Sequence, residues 1–217
     1  ERAWETSGDE PIGDPQLLDD IQALAPTRPA PAEEELSPEA LVAMGDMARA
    51  EDVTRITEAA RARFGAVDIL VNNAARRPHK PFLEMTDADW DGVVDVALTG
   101  AYRTARAFLP DMVDRKWGRV INFAGMKAIR GYFEGAPISA AKHGVWGLTK
   151  ALSTEFAPLG ITANIISPGQ IRGDTAAEDD PRRAATIPAG FMGLPDDIAS
   201  VVGFLASPEA RFVTGQM

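Results

Sequence analysis

The chain has 217 residues, 45% of them hydrophobic, with a formal net charge of −10 and no cysteine. This composition is typical of a globular chain with a buried core, and the lack of cysteine excludes disulfides, thiolate catalysis and iron–sulfur sites. The two histidines, His79 and His143, offer little to a metal ion, so no metal site is expected. The negative charge argues against nucleic acid as a partner.

The sequence predicts a cytoplasmic protein without a membrane segment. No apolar run approaches the ~20 residues that a membrane helix needs. The first residues, Glu-Arg-Ala-Trp-Glu, lack the basic and then apolar pattern of a secretion signal.

The excess charge lies at the beginning of the chain. Residues 1–46 contain twelve acids and two arginines, so residues 47–217 are neutral overall. Four prolines between Pro26 and Pro38 exclude a continuous helix or a central strand there. These features favour a solvated acidic segment with an exposed loop.

From residue 51 onward, short apolar runs alternate with amphipathic stretches, which is typical of βαβ units and a parallel sheet. The predicted strands are Val67–Val71, Arg119–Phe123 and Ile161–Ile166, and the first reads as buried. The predicted helices are Glu51–Phe64, Thr86–Phe108, Ser139–Phe156 and Pro195–Leu205. A kink is expected at Pro110. The small residues of the third helix are expected to pack closely against a neighbouring element, and residues 172–194 are expected to form a polar connection.

Several motifs resemble those of short-chain dehydrogenases/reductases, in the order that the family has them. The string Val67-Asp68-Ile69-Leu70-Val71-Asn72-Asn73-Ala74-Ala75 is similar to the Asn-Asn-Ala-Gly motif that ends a strand. Further similarities are Gly45-Asp46, Ser139 to Lys150, Asn164-Ile165-Ile166-Ser167-Pro168-Gly169, Leu205-Ala206-Ser207 and Val213-Thr214-Gly215-Gln216.

The resemblance implies a single α/β domain over residues 1–217. Its Rossmann-like, doubly wound parallel sheet would carry helices on both faces, with the family core at 47–217. The part at 1–46 is expected to be a shortened and degenerate nucleotide-binding βαβ unit. The chain stops before the family's last expected strand.

The catalytic positions that the resemblance assigns are mostly lost. The family's general acid/base is a Tyr hydroxyl four residues before a Lys, and Ile138 stands there while Lys142 is retained. The family's Ser, which bonds the substrate carbonyl, aligns with Gly125, and its helix Asn aligns with Ala97. The sequence therefore predicts no intact catalytic site.

The cofactor loop is also altered. Where the family has Thr-Gly-x-x-x-Gly-Ile-Gly, this chain has Ser7 and Pro11 in place of two glycines and adds the carboxylates of Asp9 and Glu10. Proline removes a backbone donor, and the two negative charges repel a pyrophosphate. No cofactor is expected in this chain, with Asp46 and Asn72 as remnants of the site.

These losses predict a pseudoenzyme: the non-catalytic subunit of a heteromeric short-chain dehydrogenase. In the family, the two long helices around Ala97 and Lys142 pair with their copies in a neighbouring subunit. The expected assembly is a heterotetramer with an active paralogue that holds NAD and oxidises a hydroxyl to a ketone. By resemblance, the substrate class is a 3-hydroxyacyl-CoA of aromatic degradation.

Two alternatives stay open. One is an enzyme with atypical residues, for which Glu134, Asp95 or His79 would be the base. The other is a ligand-binding or regulatory module with an apolar cleft lined by Ala97, Gly125 and Ile138. The basic cluster Arg76-Arg77-Pro78-His79-Lys80 would face an acyl-CoA phosphate or an acidic partner, or be a solvated loop.

Overall fold

The computed structural model describes residues 40–125, 130–172 and 184–217. The expectations for Ser7, Asp9, Glu10, Pro11 and the proline-rich stretch 26–38 lie outside these residues, as does 173–183 of the predicted connection. The helices are α1 (Ala50–Phe64), α2 (Asp87–Val94), α3 (Gly100–Arg115), α4 (Ala136–Phe156) and α5 (Pro195–Ala206); the strands are β1 (Ile69–Asn72), β2 (Gly118–Phe123) and β3 (Ile161–Ile166).

The three strands form a parallel sheet in the order β1-β2-β3. In its register, Asn72 lies opposite Asn122, and Phe123 lies opposite Ile166. All carboxyl ends therefore meet at one edge of the sheet. The backbone after α5 continues the pairing beyond β3, since Gly215 N donates to Ala163 O at 2.7 Å and Ile165 N donates to Gln216 O at 2.9 Å.

Helices cover both faces of the sheet. On one face, α3 packs its Phe108, Leu109 and Met112 against strand residues that include Val120 and Ile161. On the other face, α5 buries Leu205 with Ile121 and Ile166. The prediction of an α/β protein with a Rossmann-like parallel sheet and helices on both faces is confirmed.

The prediction that the first strand is buried holds only in part. Leu70 faces the core beneath α3, whereas Ile69 and Val71 are 42% and 41% exposed. Successive strand residues point to opposite faces. The face that carries Ile69 and Val71 is thus left half open by the part of the chain that the structure describes.

The predicted helix over Thr86–Phe108 is built of three consecutive pieces. A capping box opens α2, because Thr86 Oγ1 accepts from Asp89 N at 3.2 Å and Asp89 Oδ2 accepts from Thr86 N at 2.9 Å. A π-helical segment, Asp95–Thr99, then leads into α3. Helix α3 runs through Pro110 and ends at Arg115.

Helix α4 begins at Ala136, three residues before the predicted start, with Pro137 in its first turn. Proline fits there because the first helical N–H groups have no partner within the helix. The predicted close packing of small residues occurs at Gly144, where an added Cβ would lie 2.7 Å from Leu98 Cδ2.

The contacts divide the chain into two compact units. The larger comprises 37–169 and 198–217 and contains the sheet. The described residues of the smaller are 170–172 and 184–197, where Ile171 and Gly193 form an isolated parallel bridge. Among all described residues, none of the helices is sufficiently long and apolar to span a bilayer.

Candidate functional site

A chain of polar side chains connects the sheet to the helices near its carboxyl edge. Asn72 Nδ2 donates to Asn122 Oδ1 at 2.9 Å, and Asn122 Nδ2 donates to Thr149 Oγ1 at 2.9 Å. Thr104 Oγ1 donates to Asn72 Oδ1 at 2.8 Å. Asn72 is half-buried and the other three side chains are buried; together they satisfy one another and join β1 and β2 to α3 and α4.

Asn72 and Asp46, the two residues expected to remain from a cofactor site, both bond to other groups of the protein. Both polar atoms of the Asn72 side chain bond to neighbouring side chains. The carboxylate of Asp46 is exposed and accepts from Ala48 N at 2.9 Å, which shapes the turn before α1.

Two of the lost catalytic positions lie in one apolar cluster. Ile138 on α4 is 2% exposed and packs with Val93, Ala97 and Ala141. Ala97 belongs to the π-helical segment, a deviation that often occurs at functional sites. None of these four buried side chains carries a titratable proton.

The retained lysine lies one helical turn beyond Ile138. Lys142 is only 5% exposed, and its Nζ donates to the backbone oxygen of Phe123 at 2.5 Å, at the end of β2. Burial, with a smaller contribution from the positive charge of Arg77, lowers the pKa of Lys142 to about 8. The ammonium has three donors, so this single bond leaves two of them for a ligand.

Gly125 is the fourth family position, and a tyrosine occupies the space beside it. A Cβ added to Gly125 would lie 2.9 Å from Tyr132 Oη. The ring of Tyr132 packs against the apolar cluster of Ile138 and Ala97. Sequence reasoning set Tyr132 aside because it stands at the wrong spacing from Lys142, yet the fold brings it to the site.

The loop before α4 fixes Tyr132. Tyr132 N donates to Ser139 Oγ at 2.9 Å, and Gly135 N donates to Tyr132 O at 3.2 Å. Gly131 has φ +84°, which glycine adopts without strain, and Glu134 has φ +53°. Lys80 N donates to Glu134 O at 2.8 Å and thereby ties this loop to the segment after β1.

One buried hydroxyl at the same edge of the sheet has no partner. Ser167 Oγ is buried without a hydrogen bond among the residues that the structure describes. Ser167 directly follows β3, and Ala124 N donates to Ile166 O at 2.8 Å, which places Ser167 beside the end of β2. A buried hydroxyl without a partner is costly.

The alternative bases are not concentrated at this site. Asp95 Oδ1 accepts from Thr99 Oγ1 at 3.2 Å within the π-helical segment. His79 is exposed, and its Nδ1 lies 3.3 Å from Phe133 O. Glu134 contacts the same segment through its backbone oxygen, which accepts from Lys80 N.

The predicted basic cluster is divided by the fold. Lys80 Nζ lies 2.6 Å from Asp89 Oδ2, and its ammonium holds the pKa of that carboxyl well below its usual range. Arg77 interacts electrostatically with Lys142, whereas Arg76 lies over Gly92 on α2. Only Arg77 of the cluster is therefore electrostatically linked to the site residues.

An apolar groove of about 440 Å³ lies between α3 and α4, away from the strand ends. Its floor includes Leu109, Leu148 and Leu152, and Tyr102 at its side is 45% exposed. The charged residues that line it carry both signs: Arg106, Asp114 and Glu155.

Comparison with known proteins identifies the class to which this fold belongs. A family model described as enoyl-(acyl carrier protein) reductase matches residues 17–217. The chain is 38% identical over 170 residues to a 3-oxoacyl-(acyl-carrier-protein) reductase of Vibrio cholerae, with 76% of this chain and 70% of that protein covered. It is 39% identical over 188 residues to a monensin polyketide synthase putative ketoacyl reductase of Streptomyces virginiae, covering 79% and 72%.

A third relative, nodulation protein G of Azospirillum brasilense, is 39% identical over 178 residues, with 80% of this chain and 72% of that protein covered. The chain belongs to the short-chain dehydrogenase/reductase family of oxidoreductases. The family prediction made from the motifs is confirmed.

A nicotinamide-dependent reaction on a carbonyl has no proton-transferring side chain at the family's tyrosine position in this chain. Such a reaction needs a group that delivers or accepts a proton beside the reacting carbon. Ile138 occupies that position, and Lys142 bonds to the backbone instead of to a phenol. We therefore derive no reaction step through NAD at these residues.

Proposed function

We propose that this chain is the non-catalytic subunit of a heteromeric short-chain dehydrogenase, in which an active family member carries NAD and the proton-transferring tyrosine. The observation that carries this proposal is the burial of Ile138, at 2% exposure, in an apolar cluster where the family places that tyrosine. An alkyl side chain can neither donate nor accept a proton.

The groove between α3 and α4 supports assembly through these helices. Its apolar floor and the half-exposed ring of Tyr102 provide the kind of surface that interfaces bury. A two-fold contact presents the same patch on both partners. Because the groove carries Arg106 as well as Asp114 and Glu155, a paralogue with a similar rim would oppose unlike charges.

The relatives favour an acyl thioester as the substrate of the complex. Two of them are named for ketoacyl reduction, one of these on an acyl carrier protein. The active partner then interconverts a 3-hydroxyacyl and a 3-oxoacyl thioester. A 3-hydroxyacyl-CoA from aromatic degradation is the proposed substrate in the oxidising direction.

The test is an affinity purification of the tagged chain from its native cells, with mass spectrometry and an NAD-linked assay on the eluate. We expect an equimolar family member that has tyrosine four residues before its lysine, and oxidation of a 3-hydroxyacyl-CoA. The chain alone should be inactive. An inactive homo-oligomer without such a partner, or activity of the purified chain alone, would contradict the proposal.

A further inference from the structure

The strand ends of this chain hold hydrogen-bonding groups that the protein does not use. Tyr132 Oη makes no hydrogen bond with any residue that the structure describes, although the backbone of Tyr132 is bonded on both sides. Ser167 Oγ, at the end of the neighbouring strand, is buried and also unpaired among them. Lys142 uses one of its three donors. The three residues lie near the adjoining ends of β2 and β3, and donors that no described residue accepts favour an oxygen-bearing ligand.

The placement of Tyr132 Oη leaves little space for a side chain at position 125. A Cβ there would lie 2.9 Å from the phenolic oxygen, closer than a carbon and a non-bonded oxygen normally approach. A serine at 125 would bring its own hydroxyl to the region that Tyr132 Oη fills. A side chain at position 125 and the observed position of Tyr132 Oη therefore compete for the same space.

We propose that Tyr132 takes over carbonyl recognition from position 125, its hydroxyl donating a hydrogen bond to the 3-oxo group of an acyl thioester bound at the ends of β2 and β3. The ammonium of Lys142 makes this region favourable for the partial negative charge of that oxygen. The site binds without transferring a proton, since the hydroxyl serves only as a donor. The class of ligand rests on the proposed function, whereas the binding itself needs no partner subunit.

The experiment compares two thioesters on the purified full chain by isothermal titration calorimetry. Acetoacetyl-CoA carries the 3-oxo group and butyryl-CoA lacks it. Tyr132→Phe removes only the hydroxyl, so we expect acetoacetyl-CoA to bind roughly 3- to 10-fold more weakly, the equivalent of one net hydrogen bond. Butyryl-CoA should bind the variant and the wild type equally.

A second variant tests this competition for space between position 125 and Tyr132 Oη. Gly125→Ala places a methyl group against Tyr132 Oη, so it should weaken acetoacetyl-CoA binding by a similar factor in the wild-type background. In the Tyr132→Phe background, where the oxygen is absent, the same substitution should cost little further affinity. Thr154→Val, which removes an exposed hydroxyl at the far end of α4, is the matched control and should bind both thioesters normally.

The proposal is overturned by any of three results: no binding of acetoacetyl-CoA to the wild type, equal binding to wild type and Tyr132→Phe, or an equal loss for both thioesters. Thermal unfolding of each variant shows that the binding is measured on folded protein. These outcomes concern this chain alone, so they are independent of whether an active partner is found.

Discussion

Burial of the Lys142 ammonium has an energetic cost that depends on pH. Its pKa falls from 10.5 to about 8 because few polar groups replace the lost water and because Arg77 repels it. The bond to Phe123 O offsets part of this cost. An apolar side chain would fill the same space without this cost.

The free energy of unfolding should therefore rise with pH between about 8 and 10.5 through this residue. In that range the unfolded chain still binds the proton that folded Lys142 has released, so deprotonation favours the folded state. Below pH 8 both states are charged and the penalty is fully present. The contribution is on the order of 3 kcal/mol at most across the whole range.

Lys142→Met isolates this contribution, because all other groups titrate alike in the two proteins. Urea unfolding at pH 7 and at pH 9.5 should show the wild type gaining stability relative to the variant at the higher pH. A difference between the two proteins that stays constant with pH would mean that Lys142 is not desolvated in the folded chain.

At the scale of elements, the sequence predicted strands better than loops. β3 was predicted with its observed bounds, and β2 begins one residue before the predicted start. Runs of β-branched and apolar residues between glycine and proline leave few other structures open. The π-helical segment Asp95–Thr99 has no comparable pattern in the sequence; in the fold its Leu98 packs closely over Gly144 of α4.

The place of Tyr132 escaped prediction for a related reason. Its position depends on the positive φ angles at Gly131 and Glu134 and on the bond from Lys80 N to Glu134 O, a contact between distant parts of the chain. The sequence nevertheless contains a signal that could have placed Tyr132 at the site. Gly125 occurs where the family has a hydroxyl, and a tyrosine follows seven residues later.

A charge placed in the groove between α3 and α4 should weaken binding of the partner subunit. Tyr102→Glu adds a carboxylate to the groove while leaving the helix intact, since glutamate four residues before Arg106 favours helix formation. Loss of an exposed aromatic anchor typically costs about 2 kcal/mol or more at an interface, or about 30-fold in affinity. Analytical ultracentrifugation of the complex measures the effect.

Leu83→Glu is the matched control for this variant. Leu83 is 95% exposed in a short 3₁₀ turn outside the groove, so its replacement should leave assembly unchanged. If Leu83→Glu dissociates the complex and Tyr102→Glu does not, the subunits meet on another face.

At the scale of the whole molecule, charge and cofactor binding are linked. Residues 1–46 hold the entire excess of −10, and the segment of sequence that resembles the family's cofactor motif carries Asp9 and Glu10. The rest of the chain is neutral, so we expect repulsion of an anionic dinucleotide to be concentrated in that segment. In the proposed heteromer, we therefore expect only the partner to offer a favourable site.

The complex should accordingly bind roughly one NADH for every two chains if it contains equal numbers of both subunits, while this chain alone binds none. Fluorescence titration of the purified complex at known protein concentration gives the stoichiometry directly. Asp9→Asn combined with Glu10→Gln removes the two carboxylates and tests their share of the repulsion. Pro11 and Ser7 still stand in place of two glycines in this variant, so NADH binding to the variant chain alone should stay weak. One NADH per chain in the complex would show that this subunit holds the cofactor after all, and the assignment of NAD to the partner would then be wrong.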